Sequence, residues 1–111
     1  VDKNALTTPR LKTDTHEIPD VGVVTFRGLS RWELLEANKR ADRGGQVAME
    51  QFMLSCAMLD PAMTEADVAE WQKAGPGGEV IPIQKKINVL SGIGKAAAKS
   101  DVPGDGDRPV D

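Results

Sequence analysis

DTHEIPDVGVVTFRGLSRWE, residues 14–33, runs from a strand-forming segment straight into a helix start signal, and its reading decides the fold. Thr15–Ile18 is a short polar strand, Pro19-Asp20-Val21-Gly22 carries turn chemistry, and Val23–Arg27 is β-branched and aromatic, which together predict a β-hairpin over 14–28. Side chains alternate along a strand, so Val24 and Phe26 share one face while Val23, Thr25 and Arg27 share the other. A lone hairpin is marginal in water; the Val24/Phe26 face therefore has to pack against the helices C-terminal to it. The first of these opens at Ser30-Arg31-Trp32-Glu33, a capping box in which the Ser hydroxyl takes the N3 amide and the Glu carboxylate reaches back. Leu29 and Leu34 have hydrophobic-staple spacing around it. A helix over about 31–42 is expected, burying Leu34, Leu35 and part of Trp32 and stopping at Gly44-Gly45.

Beyond those glycines, Met49, Phe52, Met53, Cys56 and Leu59 recur at three- and four-residue intervals and predict a second helix over 46–59. Asp60-Pro61 ends it, because a residue before proline is pushed out of the α region. Thr64 then caps a third helix over 65–73, with Glu65 and Asp67 favourably placed in its first turn and Val68 and Trp71 as its buried pair. Gly75-Pro76-Gly77-Gly78 is a break. The stripe Val80, Ile83, Ile87, Leu90 predicts a fourth helix over 80–90, with Pro82 in the first turn, where its missing amide costs nothing, and Ser91-Gly92 at its end. Residues 1–13 have no sustained period and read as a flexible N-terminal arm; 95–111 read as a polar disordered tail. The expected architecture is one folded domain over 14–94, α+β and helix-dominant, with an N-terminal β-hairpin followed by about four short helices and disordered termini.

Composition bounds the function. The 111 residues carry 14 Lys+Arg and 17 Asp+Glu, a net charge of −3 that disfavours a strongly basic nucleic-acid or membrane-surface protein. One cysteine excludes an internal disulfide and any multi-cysteine metal site. No apolar run approaches the ~20 residues of a membrane span, and no signal-peptide apolar region opens the chain, so a cytosolic protein is expected. His16 is the only imidazole and Cys56 lies on an apolar helix stripe, which leaves no convincing nucleophile–base pair. Asp14, His16 and Asp20 match no metal-ligand motif. Gly92-Ile93-Gly94-Lys95 lacks both the earlier glycine and the following Ser or Thr of a phosphate-binding loop. No acid falls on an apolar stripe where burial would tune it for acid–base work. Lys85, Lys86, Lys95 and Lys99 have no aromatic platform beside them for nucleic acid. The expectation is a non-enzymatic protein without cofactor or metal.

Charge and sulfur are unevenly spread. Residues 46–79 hold six acids and one base, an acidic side carried by the second and third helices. All four methionines fall between positions 49 and 63; Met49 and Met53 lie on the core stripe, whereas Met58 and Met63, with Trp71, are the candidate partner contacts on that acidic side. The Thr15–Ile18 strand offers a second possible surface through its free edge.

The order of segments resembles the small tail assembly chaperones of long-tailed bacteriophages. The resemblance rests on a Val-rich hairpin leading into Phe26-Arg27-Gly28-Leu29-Ser30-Arg31-x-Glu33, on Leu59-Asp60-Pro61-Ala62-Met63-Thr64-Glu65-Ala66-Asp67-Val68, and on the closing Leu90-Ser91-Gly92-Ile93. It covers about residues 20–94. It implies a non-enzymatic role: binding the tape-measure protein, keeping it soluble and helping bring tail-tube subunits to it. It further implies a place in the cytoplasm of the infected bacterial host, absence from the mature virion, and the short, non-frameshifted form of a product often made in two lengths. The alternative from another class is a structural tail or head–tail connector subunit retained in the virion.

Overall fold

The computed structural model describes residues 1–93. The hairpin forms from β1 (Thr13–Ile18) and β2 (Gly22–Arg27), antiparallel, in a register running from Thr13 opposite Arg27 to Ile18 opposite Gly22. Its turn places Pro19 second and Asp20 third with φ of 67°, and the Val21 amide donates to the Ile18 carbonyl at 3.0 Å. Proline presets the second position of such a turn and aspartate tolerates the left-handed third. A helix opens at the Ser30 cap, where both bonds of the capping box are made.

The helical run α1 (Arg31–Ala57) comprises the two helices expected over 31–42 and 46–59, joined without an intervening loop. It is broken at Gly45, whose φ of 73° and ψ of −164° are not helical. The expected Gly44-Gly45 link is therefore a kink, and glycine suits it because a side chain at this φ would be strained. Phe52, after the kink, sits edge-on to Trp32 with centroids 6.5 Å apart, and the Arg40 guanidinium lies 4.5 Å from the same ring. The two halves thus fold back on each other.

The second half ends at Ala57, not at Leu59. Met58–Asp60 is instead a third strand, β3, antiparallel to β2, which makes the hairpin a three-stranded sheet in the order β1-β2-β3. The physical reason is twofold: Asp60 precedes a proline and is barred from the helix, and β2 has an open side that an extended segment satisfies. The shift changes which side chains are buried. Phe52, Leu54, Ala57 and Met58 enter the core, whereas Leu59 is exposed and Met49, Met53 and Cys56 are only half-buried. In the first half Ala37 is buried, Leu34 is half-buried, and Leu35 and Trp32 stay largely in solvent.

Two helices complete the domain. α2 (Glu65–Ala74) starts at a second complete capping box, Thr64 with Asp67, and buries Val68 fully. α3 (Ile81–Leu90) carries Pro82 in its first turn and buries Ile83 and Ile87, while Val80 at its N-cap position and Leu90 at its far end each pack against the core's edge. The core joins Val24, Phe26 and Ile18 of the sheet to Leu29, Leu54, Ala57, Met58, Val68, Ile83 and Ile87. This is the α+β, helix-dominant fold with the Val24/Phe26 face turned inward. Polar side chains lock the helices as well: Glu50 accepts from Gln72 and Gln84, and Gln51 donates to Gln72.

The expected arm over 1–13 is not without regular structure. Lys3–Thr7 forms a single short helical turn capped by Asp2, with no buried residue, and the Lys12 carbonyl already accepts the Gly28 amide at 2.9 Å. The expected tail over 95–111 lies outside the described residues.

Candidate functional site

The three motifs that carry the resemblance do structural work. Arg27 and Glu33 form a bidentate ion pair at 2.9 and 2.8 Å, and Glu33 also accepts the Ser30 amide at 2.9 Å. The Arg27 guanidinium, with help from the Ser30 amide, holds the Glu33 carboxyl down to about 2. Burial, then the Glu33 charge, pushes the nearby Cys56 thiol up to about 11, so this cysteine is protonated and inert at neutral pH. Gly28 faces the backbone of α3: a Cβ there would stand 2.6 Å from the Leu90 carbonyl oxygen. The Leu29 amide donates to Ser91 Oγ at 2.8 Å, and that hydroxyl donates to the Ile87 carbonyl at 2.6 Å. Gly92, with φ of 80°, and Ile93 then close α3, their amides donating to the Val89 and Asn88 carbonyls as a Schellman motif requires. The first and last motifs therefore meet, and the middle one is the Thr64 capping box with the buried Val68 behind it.

The open surface lies at the other end of the sheet. A groove of about 1210 Å³ runs between the hairpin turn, β3 and the loop after it, and α2 with the Gly75–Gly78 loop. Ile18, Val24 and Met58 form its floor; Met63, Trp71 and Pro82 form half-buried walls. Trp71 Nε1 donates to Glu79 at 2.8 Å, which fixes the indole as a wall rather than a loose flap. Five carboxylates line the rim: Glu17 and Asp20 from the hairpin, Asp67 and Glu70 from α2, and Glu79 from the loop. No lysine or arginine lines it, and among the described residues none of the five takes part in an ion pair. Asp67 is held below its usual range by the Thr64 amide and hydroxyl, so it stays charged while capping α2.

All three residues singled out from the sequence line this one groove, but not alike. Met63 and Trp71 present half-buried side chains, whereas Met58 is a core strand residue only 3% exposed, not a helix-end surface residue. Half-buried His16, expected on the surface beside Glu17, also lines the groove. Sequence reasoning missed Glu17 and Asp20 as members of the acidic side, since they lie far from residues 46–79 and only the placement of the turn opposite α2 brings them there. The free strand edge is also modified: Lys86 Nζ donates to the Thr15 carbonyl at 2.9 Å and covers the middle of β1.

Among the described residues no group of three His, Cys, Asp or Glu side chains is placed to hold a metal ion, and no helix is long and apolar enough to cross a membrane. Fold and groove together define a small α+β domain with an acid-rimmed apolar groove. No family model, curated protein or solved structure matches the chain.

Proposed function

We propose that this chain is a non-enzymatic phage tail assembly chaperone, which binds a tape-measure protein, keeps it soluble before the tail is complete and helps recruit tail-tube subunits. The observation that carries the reading is the open apolar groove walled by Met63 and Trp71. A tape measure is a long helical protein whose apolar stripes self-associate when bare, and an apolar groove of this size covers such a stripe by helix-in-groove contact. Methionine suits a surface that has to accept successive, non-identical turns, because its unbranched side chain repacks easily. The ordered motifs from Arg27 to Ile93 support the same assignment. Action in the host cytoplasm, and absence from the finished particle, belong to this reading.

The test is co-expression with the tape-measure protein of the same gene cluster. The tape measure is expected to stay in the supernatant and co-purify only when this chain is present, and the chain is expected to be missing from purified particles by mass spectrometry. A tape measure that precipitates regardless, or particles that contain the chain in stoichiometric amount, overturns the reading in favour of a virion subunit.

A further inference from the structure

We infer that the groove selects a cationic amphipathic helix of another protein: an apolar stripe flanked on both sides by lysine or arginine. This deepens the chaperone reading and rests on the same groove being the client site. Three observations carry it. The volume of about 1210 Å³ exceeds the roughly 300–1,000 Å³ typical of small-molecule sites, which points to a macromolecular segment. The floor and walls are apolar, while every charged side chain on the rim is a carboxylate. Those carboxylates lack cationic partners among the described residues, although arginines elsewhere are paired with Glu33, Glu36 and Glu65.

The electrostatics derive from that arrangement. Covering the groove with a neutral or acidic segment dehydrates like charges without compensation, which opposes binding. A helix with basic residues beside its apolar stripe supplies the compensation. Lysine and arginine stems also lie along apolar walls while their heads reach the rim. A helix fits better than an added strand, because Lys86 already occupies the outward carbonyl of Thr15 on the neighbouring sheet edge. The chain's own residues 94–111 are poor candidates on charge alone, with three bases against four acids.

The probes are two synthetic helices of roughly 18 residues, about 27 Å long, with one leucine stripe flanked by lysines in the first and by glutamates in the second. They are titrated into the full chain carrying Trp32→Phe, so that emission reports Trp71 in the groove wall. The lysine helix is expected to bind at least about tenfold tighter at low salt, with the preference shrinking towards ~0.5 M salt. The exposed triple variant Glu17→Gln, Asp20→Asn, Glu70→Gln is expected to lose most of that preference with unchanged thermal melting. It spares Asp67 and Glu79, which make structural bonds.

Equal binding of both helices, no binding of either, or a preference that survives in the triple variant overturns the inference. Concentration-dependent dimerisation that excludes the lysine helix overturns it too, in favour of a second copy as occupant. The two proposals fail separately. A tape measure held in solution without any charge preference removes this inference alone. A tape measure that precipitates while the lysine helix binds removes the chaperone reading alone.

Discussion

The two ends of β2 are built on opposite principles. At its C-terminal end, Arg27 pairs with Glu33, Gly28 lies close against the Leu90 backbone, and the Leu29 amide donates to Ser91. At its N-terminal end, beyond Gly22, the hairpin turn faces α2 across an open groove whose carboxylates have no cation among the described residues. The first and last of the recognisable sequence patterns belong to the closed end, and the middle one is a helix cap whose Met63 and Asp67 also line the groove. The open end draws much of its lining from segments outside those motifs. A motif here reports chiefly how the chain folds back on itself, and Glu17, Asp20, Glu70 and Glu79 on the groove rim lie outside all three.

The sharpest way to break the comparison is to treat the two groove methionines alike. Met58→Ala removes a core side chain and is expected to cost about 2–5 kcal/mol, whereas half-buried Met63→Ala is expected to cost about 1 kcal/mol or less. Denaturant unfolding at one temperature measures both. Equal costs would mean that Met58 is not the floor of a closed core.

A smaller effect probes the closed end. Gly28→Ala forces its Cβ against the Leu90 carbonyl, a backbone group that cannot swing aside, and is expected to destabilise by about 1–3 kcal/mol. Loss of hydrogen-exchange protection in α3 should accompany it. A variant as stable as the parent would show that the two motifs are not in close contact.

The smallest effect is pH-dependent. Glu33 is held at about 2 against an ordinary 4.5, so its contribution is complete above about pH 4.5 and is lost as pH falls through 2. Glu33→Gln is expected to cost about 1–2 kcal/mol at pH 7, moderated by solvent near the pair, and almost nothing near pH 2. Melting curves of parent and variant across that range should therefore converge on the acid side. A gap that stays constant with pH would remove the Arg27 pairing as its cause.

Local chemistry was legible residue by residue. Ser30 with Glu33, and Thr64, the Pro19-Asp20 turn, Pro82 and Gly92 each announce a bond or a dihedral within a few positions of themselves, and each is found where its chemistry places it. Periodicity misled at the end of the 46–59 segment. The apolar spacing there runs through Leu59, but β2 offers Met58–Asp60 a sheet partner that no local window contains. For the same reason Leu54 and Ala57 replaced Leu59 and Met49 in the core. Half of the candidate site was visible: Met63 and Trp71 stand where an apolar, sulfur-rich segment meets a helix. Glu17, Asp20 and His16 were not, because they join the site only through the turn's position against α2.

By itself the amino-acid sequence determined the hairpin, the Ser30 capping box, the Thr64 cap, the helix spans of α2 and α3, the break at Gly45, and the inward face of Val24 and Phe26. All of these depend on bonds and side-chain periods that close within a few residues. Tertiary structure alone decided that Met58–Asp60 becomes a strand, that Gly28 meets Leu90 and Leu29 meets Ser91 across the domain, and that five carboxylates from separate segments gather round one apolar groove. Those outcomes depend on which surfaces come into contact, and contact energies between distant segments are set only once the whole core has closed.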